Sequence, residues 1–243
     1  MRKKLAVLQS NYIPWKGYFD IISSADQFIF YDHVQYTKND WRNRNRIKTK
    51  NGIRWITIPV RIESLHQSIA ESRVSLSTWA KKHWRTLEMN YSKAPFFGEF
   101  APYFERFYAE CKSDYLSEIN QSLIKIVCDL LEIRTPLHKS SEFCMQGDPS
   151  AKLLSLCQQT ESTIYLSGPS AKNYLDLERF REAKIEVEWM DYSGYKKYPQ
   201  LYPPFEHAVT VLDLIFNTGG NARRYLNSYG KLINETIDSQ HTV

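Results

Sequence analysis

Short apolar runs alternate along the chain with segments whose apolar residues recur at helical spacing. Residues 5–8 and 28–31 are apolar runs of strand length, and residues 18–25 between them have the spacing of an amphipathic helix. Both runs end in polar residues, beginning at Gln9 and at Asp32. This pattern predicts a βαβ unit that brings polar and aromatic side chains to one edge of a sheet, where open α/β sheets bind ligands.

The rest of the chain repeats this alternation after a helical stretch. The Asn51-Gly52 pair predicts a hairpin turn into a third strand at 55–60, and two later apolar runs predict strands at 163–166 and 185–190. Helical periodicity, in several cases with a capping residue in front, predicts helices over 79–90, 97–111, 115–131, 148–159, 174–183, 211–216 and 221–237. The pattern predicts an α/β fold: a Rossmann-like, three-layer, mainly parallel sheet with a helical insert.

The order of these elements divides the chain into three parts. Residues 1–76 form an N-terminal α/β half that carries the presumed site, 77–147 form a helical layer or insert, and 148–243 form a C-terminal α/β half. A length of 243 residues suits one compact domain built from these parts.

The basic residues are concentrated in one segment. The net charge is only +5, but much of the basic excess falls at Lys38, Arg42, Arg44, Arg46, Lys48 and Lys50. Between residues 42 and 50 no acidic residue is interleaved. A local basic run can be a solvated face. Here its close asparagines and its aromatic neighbours favour an anionic ligand held at one place over a surface coated for nucleic acid.

The spacing of the cysteines and the N-terminal residues exclude several classes of protein. The four cysteines are far apart and form no C-x-x-C pair, which indicates free thiols rather than a zinc site or a disulfide framework. The chain begins MRKKLAVL, whose apolar run is too short for a signal peptide, and no run reaches the length of a membrane span. We therefore expect a cytoplasmic protein without a metal site; Walker, G-x-G-x-x-G and G-x-S-x-G motifs are also absent.

Several motifs together resemble one known family. They are QSNYIPWKGYF at 9–19, YDHVQY at 31–36, WRNRNRI at 41–47, YLSGPSAKNY at 165–174 and LDLIFNTG at 212–219. These segments resemble the WbqC-like family, which is associated with bacterial O-antigen and other surface-polysaccharide gene clusters. The resemblance implies a glycine or other aminoacyl transferase that acts on sugars.

A second likeness concerns the turn Trp15-Lys16-Gly17-Tyr18 at the start of the first helix. It is similar to the H-x-G-H turn of nucleotidyltransferases and pantothenate synthetase, where two histidines and a helix N-terminus hold ATP phosphates. Here Gly17 matches, but Trp15 and Tyr18 replace both histidines. The cofactor therefore stays unknown, with ATP and Mg²⁺ as the candidates if the chain activates a carboxylate before forming an amide.

Candidate site residues follow from these patterns. We expect Asp32, with His83 or His33, to deprotonate an acceptor amine, although a lone histidine is more often structural and His83 lies on an otherwise apolar stripe. Lys172 and Ser170 belong to a turn that can hold phosphate. The full set of predicted substrate-binding residues is Gln9, Tyr12, Trp15, Gly17, Tyr18, Gln35, Asn43, Arg44, Asn45, Lys82, Ser167, Gly168, Ser170 and Lys172.

Two hypotheses of different classes fit these residues. The first is the transfer of a small acyl group, with glycine as the example, to the amine of a nucleotide-activated amino sugar. Its acyl donor is left open between glycine with ATP, an aminoacyl-tRNA and a thioester. The second is a non-catalytic module that binds a nucleotide sugar or nucleic acid through the same basic, aromatic loop.

Overall fold

The computed structural model describes residues 2–230, and within them a parallel sheet of five strands has helices on both faces. All strands of the described chain, including two separate hairpins, are in order β1 (Lys4–Leu8), β2 (Gln27–Phe30), β3 (Arg44–Thr49), β4 (Gly52–Thr57), β5 (Val60–Arg61), β6 (Arg73–Val74), β7 (Leu137–Lys139), β8 (Ile164–Ser167) and β9 (Glu186–Trp189). The helices are α1 (Lys16–Ser23), α2 (Trp79–Tyr91), α3 (Phe97–Glu110), α4 (Leu116–Leu130), α5 (Pro149–Gln159), α6 (Leu177–Glu182) and α7 (Val211–Thr218).

The strand order of the main sheet is β7-β2-β1-β8-β9, and every neighbouring pair is parallel. The chain starts in the middle at β1, moves outward through β2 to β7, and then returns to β8 on the other side of β1. This order confirms the predicted Rossmann-like α/β fold. It also places the reversal of direction between β1 and β8, the position where open α/β sheets bind ligands.

Alternate residues of the central strands supply two separate cores. Ala6 of β1 packs into a large core with α1, α4 and α7, whereas Leu5 and Val7 face a smaller core formed with Leu156 of α5 and Phe180 of α6. Because both faces are covered, β1 and β2 read as continuous apolar runs rather than as alternating ones. The result is the predicted three-layer arrangement.

The segment between β2 and β7 is an insertion of residues 31–136, which contains β3 to β6 and α2 to α4. The predicted hairpin at Asn51-Gly52 is present, since β3 and β4 pair antiparallel from Arg44 opposite Thr57 to Thr49 opposite Gly52. However, this hairpin stands outside the parallel sheet, and its first strand lies where the sequence predicted only a polar basic stretch. The polar composition hid an alternation, because Asn45 and Ile47 are buried between more exposed arginines.

The helix boundaries agree with the prediction at two capping residues and differ from it in two other segments. Asp148 and Thr210 cap α5 and α7 as predicted, accepting hydrogen bonds from the backbone of Ala151 and Leu212 at 3.0 and 3.3 Å. The predicted helix over 174–183 is present only as the shorter α6, and a 3₁₀ turn at Pro169–Asn173 precedes it. The predicted helix over 221–237 starts as part of a 3₁₀ segment (Gly219–Tyr225), and its residues after 230 lie outside the described part of the chain.

Among residues 2–230, no helix has both the length and the apolar character needed to span a membrane.

Candidate functional site

A cleft lies at the carboxyl ends of β1, β2 and β8, where the strand order reverses. Its volume is about 390 Å³, and its lining includes Leu8, Gln9, Tyr31, Tyr165 and Tyr174. Burial raises the pKa of Tyr31 and of Tyr174, so both phenols stay neutral at physiological pH. Neutral aromatic rings beside one amide suit the flat face of a sugar or a nucleobase.

We call three neighbouring arginines the arginine face: Arg44 and Arg46 on one side of β3, and Arg42 in the turn just before it. Side chains two residues apart point to the same side of an extended chain, so Arg44 and Arg46 of β3 project together, whereas Arg42 lies in the turn before the strand and contacts Asp40 and Gln9. Lys48 follows at the same spacing, but it is buried and its ammonium group donates to the carbonyl of Pro204.

Two tryptophans flank the arginine face. The guanidinium carbon of Arg44 lies 4.2 Å from the ring centroid of Trp55, and that of Arg46 lies 5.7 and 5.8 Å from Trp41 and Trp55. The two indoles are 5.2 Å apart and remain 39% and 45% exposed, so a ligand can still reach them. Stacking on indole holds a guanidinium plane in a fixed orientation.

The positive charge of the arginine face is poorly balanced. Among residues 2–230 its one ion pair joins Arg42 Nη1 to Asp40 at 3.3 Å. The Nε atoms of all three arginines are buried and lack a hydrogen-bond partner. Because the Nε atoms are buried, a phosphate or diphosphate would be bound by the terminal nitrogens of Arg44 and Arg46, which form no ion pair among residues 2–230.

Gln9 connects the arginine face to the cleft. Its side-chain oxygen accepts a hydrogen bond from Nη2 of Arg42, and its backbone carbonyl accepts one from the Tyr18 hydroxyl at 3.0 Å. Gln9 also lines the cleft. The structure therefore brings three predicted or neighbouring site residues together at the carboxyl end of β1.

The turn between β1 and α1 is packed around Trp15. A Cβ atom on Gly17 would lie 2.3 Å from the Trp15 ring, so only glycine allows this close approach. The indole contacts the rings of Tyr192 and Tyr195 at 5.3 and 5.7 Å. The Tyr192 hydroxyl lies 3.7 Å from where a Cβ of Gly168 would stand, so it links the ends of β1 and β8.

Asp32 is buried at the carboxyl end of β2. Its carboxylate accepts hydrogen bonds from the backbone of Ser10 at 2.7 Å and from the Gln121 amide at 2.8 Å. Burial raises the pKa of Asp32, although these donors and the charge of Arg42 act in the opposite direction. The carboxylate thus fixes the loop after β1 against α4.

His33 follows Asp32 and contacts the end of the neighbouring strand β7. Its Nδ1 lies 2.6 Å from the Ser140 hydroxyl. Asp32, His33 and Ser140 line a second pocket, of about 210 Å³, at the carboxyl ends of β2 and β7. We call it the β2–β7 pocket.

His83 and Tyr12 lie in the core and contact each other. The Tyr12 hydroxyl is 2.8 Å from His83 Nδ1 and 2.6 Å from the Tyr108 hydroxyl, while His83 Nε2 is 3.2 Å from the carbonyl of Thr57. Since a carbonyl only accepts, Nε2 carries the hydrogen and Nδ1 accepts from Tyr12. Burial lowers the pKa of His83 to about 4, so the ring is neutral and both of its nitrogens have partners within the protein.

Three predicted amide residues donate hydrogen bonds to backbone carbonyls of the protein. Asn45 donates to the carbonyls of Tyr12 and Ile13 at 3.0 and 2.9 Å, and Asn43 donates to the carbonyl of Ile58 at 2.9 Å. Gln35 is exposed and donates to the carbonyl of Leu65 at 2.5 Å. Asn45 therefore attaches the strand of the arginine face to the turn after β1, rather than facing a ligand.

The remaining predicted residues are dispersed. Ser167 is buried at the end of β8, whereas Ser170, Lys172 and Lys82 are exposed. The ammonium group of Lys172 lies 5.4 Å from the Trp189 ring. No contact among residues 2–230 joins these three exposed side chains to the arginine face.

Several site residues were missed by the sequence reasoning. Tyr192 and Ser140 follow short or irregular segments that carry no motif, whereas the placement of Arg42, Arg44 and Arg46 at every second residue is a signal that could have indicated the strand. Lys16 is also buried, with Nζ 3.2 Å from the Lys196 carbonyl and 4.7 Å from the Tyr195 ring centroid, and burial lowers its pKa to about 8.

The chain matches the sequence model of one protein family and is similar to a mycobacterial protein. The sequence model of the WbqC-like protein family matches residues 9–225, which confirms the resemblance found in the motifs. Over 225 residues the chain is 49% identical to Uncharacterized protein Rv1507c of Mycobacterium tuberculosis (strain ATCC 25618 / H37Rv), with 92% of this chain and 97% of that protein covered. No solved structure matches the chain. The matched range includes the cleft residue Gln9, the whole arginine face and the β2–β7 pocket.

Proposed function

Because the chain belongs to the WbqC-like protein family, we propose that it transfers a small acyl group to the amine of a nucleotide-linked amino sugar, in the biosynthesis of a bacterial surface polysaccharide. Glycine is the acyl group that we propose. The observation that carries this proposal is the arginine face, which presents unbalanced positive charge beside the switch-point cleft.

The arginine face would hold the diphosphate of the nucleotide sugar. A charge-assisted hydrogen bond from a guanidinium contributes about 1.5–3 kcal/mol. Arg44 and Arg46 are already oriented by Trp55, so less conformational entropy is lost on binding. The exposed indoles of Trp41 and Trp55 would stack on the nucleobase, as aromatic side chains do in other nucleotide sites.

The sugar would extend from the arginine face toward Gln9. An amide can donate to and accept from sugar hydroxyls, and the cleft beyond Gln9 is lined by neutral tyrosines. The amine would then lie near the carboxyl end of β2. We assign His33 as the group that accepts the amine proton and Asp32 as a positioning carboxylate. His83 is a weaker choice because both of its ring nitrogens are occupied.

A second function is favoured by one specific observation, the exposure of both tryptophans next to the arginines. Stacking platforms of this kind also occur in proteins that bind single-stranded nucleic acid without catalysis. A non-catalytic module of this type, for nucleic acid or for a nucleotide sugar, would be indifferent to the attached sugar. Its affinity for nucleic acid would fall steeply with salt.

The test is a reaction followed by mass spectrometry. The purified protein is incubated with a dTDP-linked amino sugar and, in separate arms, with glycine and ATP, a glycyl thioester, or glycyl-tRNA. We expect a nucleotide sugar heavier by one acyl group in one arm, and no product when a dTDP-sugar without an amine replaces the acceptor. Binding of the amino sugar with no product in any arm would favour the non-catalytic module instead.

A further inference from the structure

The β2–β7 pocket contains chemistry that the binding of a nucleotide sugar does not require. Its lining includes Asp32, His33, Tyr115, Gln121 and Ser140, contributed by the ends of two strands and by the start of α4. At about 210 Å³ the pocket is far smaller than the space that a nucleotide sugar occupies. It has room for a group of the size of a glycyl residue.

The carboxylate of Asp32 is a suitable partner for an ammonium group. It is 4% exposed, and no basic side chain among residues 2–230 lies within ion-pair distance of it; the positive charge that acts on its pKa is that of Arg42. Its oxygens accept hydrogen bonds from the backbone and the hydroxyl of Ser10 and from the Gln121 amide, and a carboxylate has about four acceptor positions, so a further donor can be accommodated. Lys139 and Glu118 also line the pocket, but both are exposed.

Ser140 and His33 form a hydrogen-bonded pair in the same pocket. Ser140 comes directly after β7 and His33 follows the end of β2, and these two strands are neighbours in the sheet. The 2.6 Å separation of Ser140 Oγ and His33 Nδ1 is within the range for a nucleophile and its base. Ser140 is buried and lines this pocket, which gives a donor a route to its hydroxyl.

We propose that Ser140 accepts the acyl group from an activated ester or thioester and carries it until the acceptor amine arrives. Ser140 Oγ bonds to the acyl carbon, its proton passes to His33 Nδ1, and the departing alcohol or thiol takes that proton. The neutral amine then attacks the new ester. As the bond between the acyl carbon and Oγ breaks, the proton from the amine returns to Oγ through His33. The products are an amide and regenerated serine.

This inference rests on the proposed function, because it assigns the path of the same acyl group. It adds that the donor is an activated acyl compound rather than a free carboxylate, and that Asp32 holds the ammonium group of an aminoacyl donor. Acylation of Ser140 needs no acceptor, so it can be observed apart from the complete reaction.

The experiment uses the full chain and glycyl-N-acetylcysteamine thioester as the probe, without any nucleotide sugar. Intact mass spectrometry should show one added glycyl group that hydroxylamine removes, and peptide mapping should locate it on Ser140. We expect no adduct with Ser140→Ala and a much slower one with His33→Ala. Ser122→Ala, which removes an exposed hydroxyl of α4 that does not line the pocket, should react like the unmodified protein.

Two further measurements keep the inference open to refutation. The Ser140→Ala variant should keep its thermal unfolding temperature and its affinity for a nucleotide sugar, which separates a lost nucleophile from a lost fold. The unmodified protein should prefer a glycyl to an acetyl thioester by at least about tenfold, the effect of one charge-assisted hydrogen bond. No adduct on the unmodified protein, or an adduct that persists in Ser140→Ala, would overturn the proposal. An adduct on Ser140 without any acylated sugar would contradict the proposed acceptor only.

Discussion

Replacing Arg44 with alanine tests the arginine face most directly. Arg44 is the middle one of the three arginines in the sequence, and its guanidinium group stacks on Trp55 at 4.2 Å. The substitution removes one charge and one planar set of donors from the surface that we assign to the diphosphate. It leaves Asn45, which holds the strand to the turn after β1, in place.

The expected loss follows from the hydrogen bonds that Arg44 can offer. Its Nε is buried, so its terminal nitrogens would contact the ligand, and no acidic side chain among residues 2–230 forms an ion pair with Arg44. A lost charge-assisted hydrogen bond costs about 1.5–3 kcal/mol, which weakens binding by about tenfold to a hundredfold. Arg44→Lys keeps the charge but loses the planar fork, so it should fall between the alanine variant and the unmodified protein.

The assay is calorimetric titration with a dTDP-sugar at one fixed salt concentration. The matched control is Arg54→Ala, because Arg54 is exposed on the same hairpin but pairs with Ile47 and so projects from the opposite face. The control removes the same charge and should leave the affinity unchanged. Equal affinities for Arg44→Ala and the unmodified protein, or equal losses in both variants, would refute a diphosphate site on this face.

Three further predictions concern the core beside the site. Burial lowers the pKa of His83 to about 4, so as the pH falls from 7 the unfolded chain binds the proton before the folded one does. The free energy of unfolding, measured with urea, should therefore fall by about 2 kcal/mol between pH 7 and pH 5, and His83→Gln should remove this pH dependence. Tyr12→Phe leaves the Tyr108 hydroxyl and His83 Nδ1 without a partner and should lower the free energy of unfolding by about 1–3 kcal/mol in the same assay; no loss would contradict the bonding assigned to the Tyr12 hydroxyl. Gly17→Ala would press on the Trp15 ring and should cost about 1–3 kcal/mol, so a variant as stable as the parent would contradict the packing of this turn.

The fold could be predicted from the sequence where periodicity was strong. The apolar runs of β1 and β2, the stripes of α2 to α4 and the capping residues Asp148 and Thr210 each indicated the element that is present. The short strand β7 could not be found, because three residues are too few to show a period. The strand of the arginine face was missed for another reason, since its alternation is between arginine and asparagine rather than between polar and apolar residues.

The site could be predicted only in part, because side chains that share a chemical type need not share a surface. Gln9, Trp15, Tyr18 and Arg44 lie around the arginine face and the turn after β1. Tyr12 is adjacent to this group in sequence, yet it points into the core and contacts His83. An aromatic residue after a strand can either line a ligand site or pack in the core. Only the packing of α2 and α3 against the turn decides between these two positions.

The insertion between β2 and β7 explains why both parts of the proposed site meet at one loop. The arginine face belongs to the insertion, whereas Gln9 and Ser10 belong to the loop that follows β1. Gln9 accepts a hydrogen bond from Arg42, and the next residue, Ser10, donates to Asp32 in the β2–β7 pocket. Two consecutive residues therefore contact the surface proposed for the diphosphate and the pocket proposed for the acyl group. Because this loop is fixed by hydrogen bonds on both sides, an occupied arginine face and an acylated Ser140 would be held in one orientation, as the transfer of an acyl group to a bound amine requires.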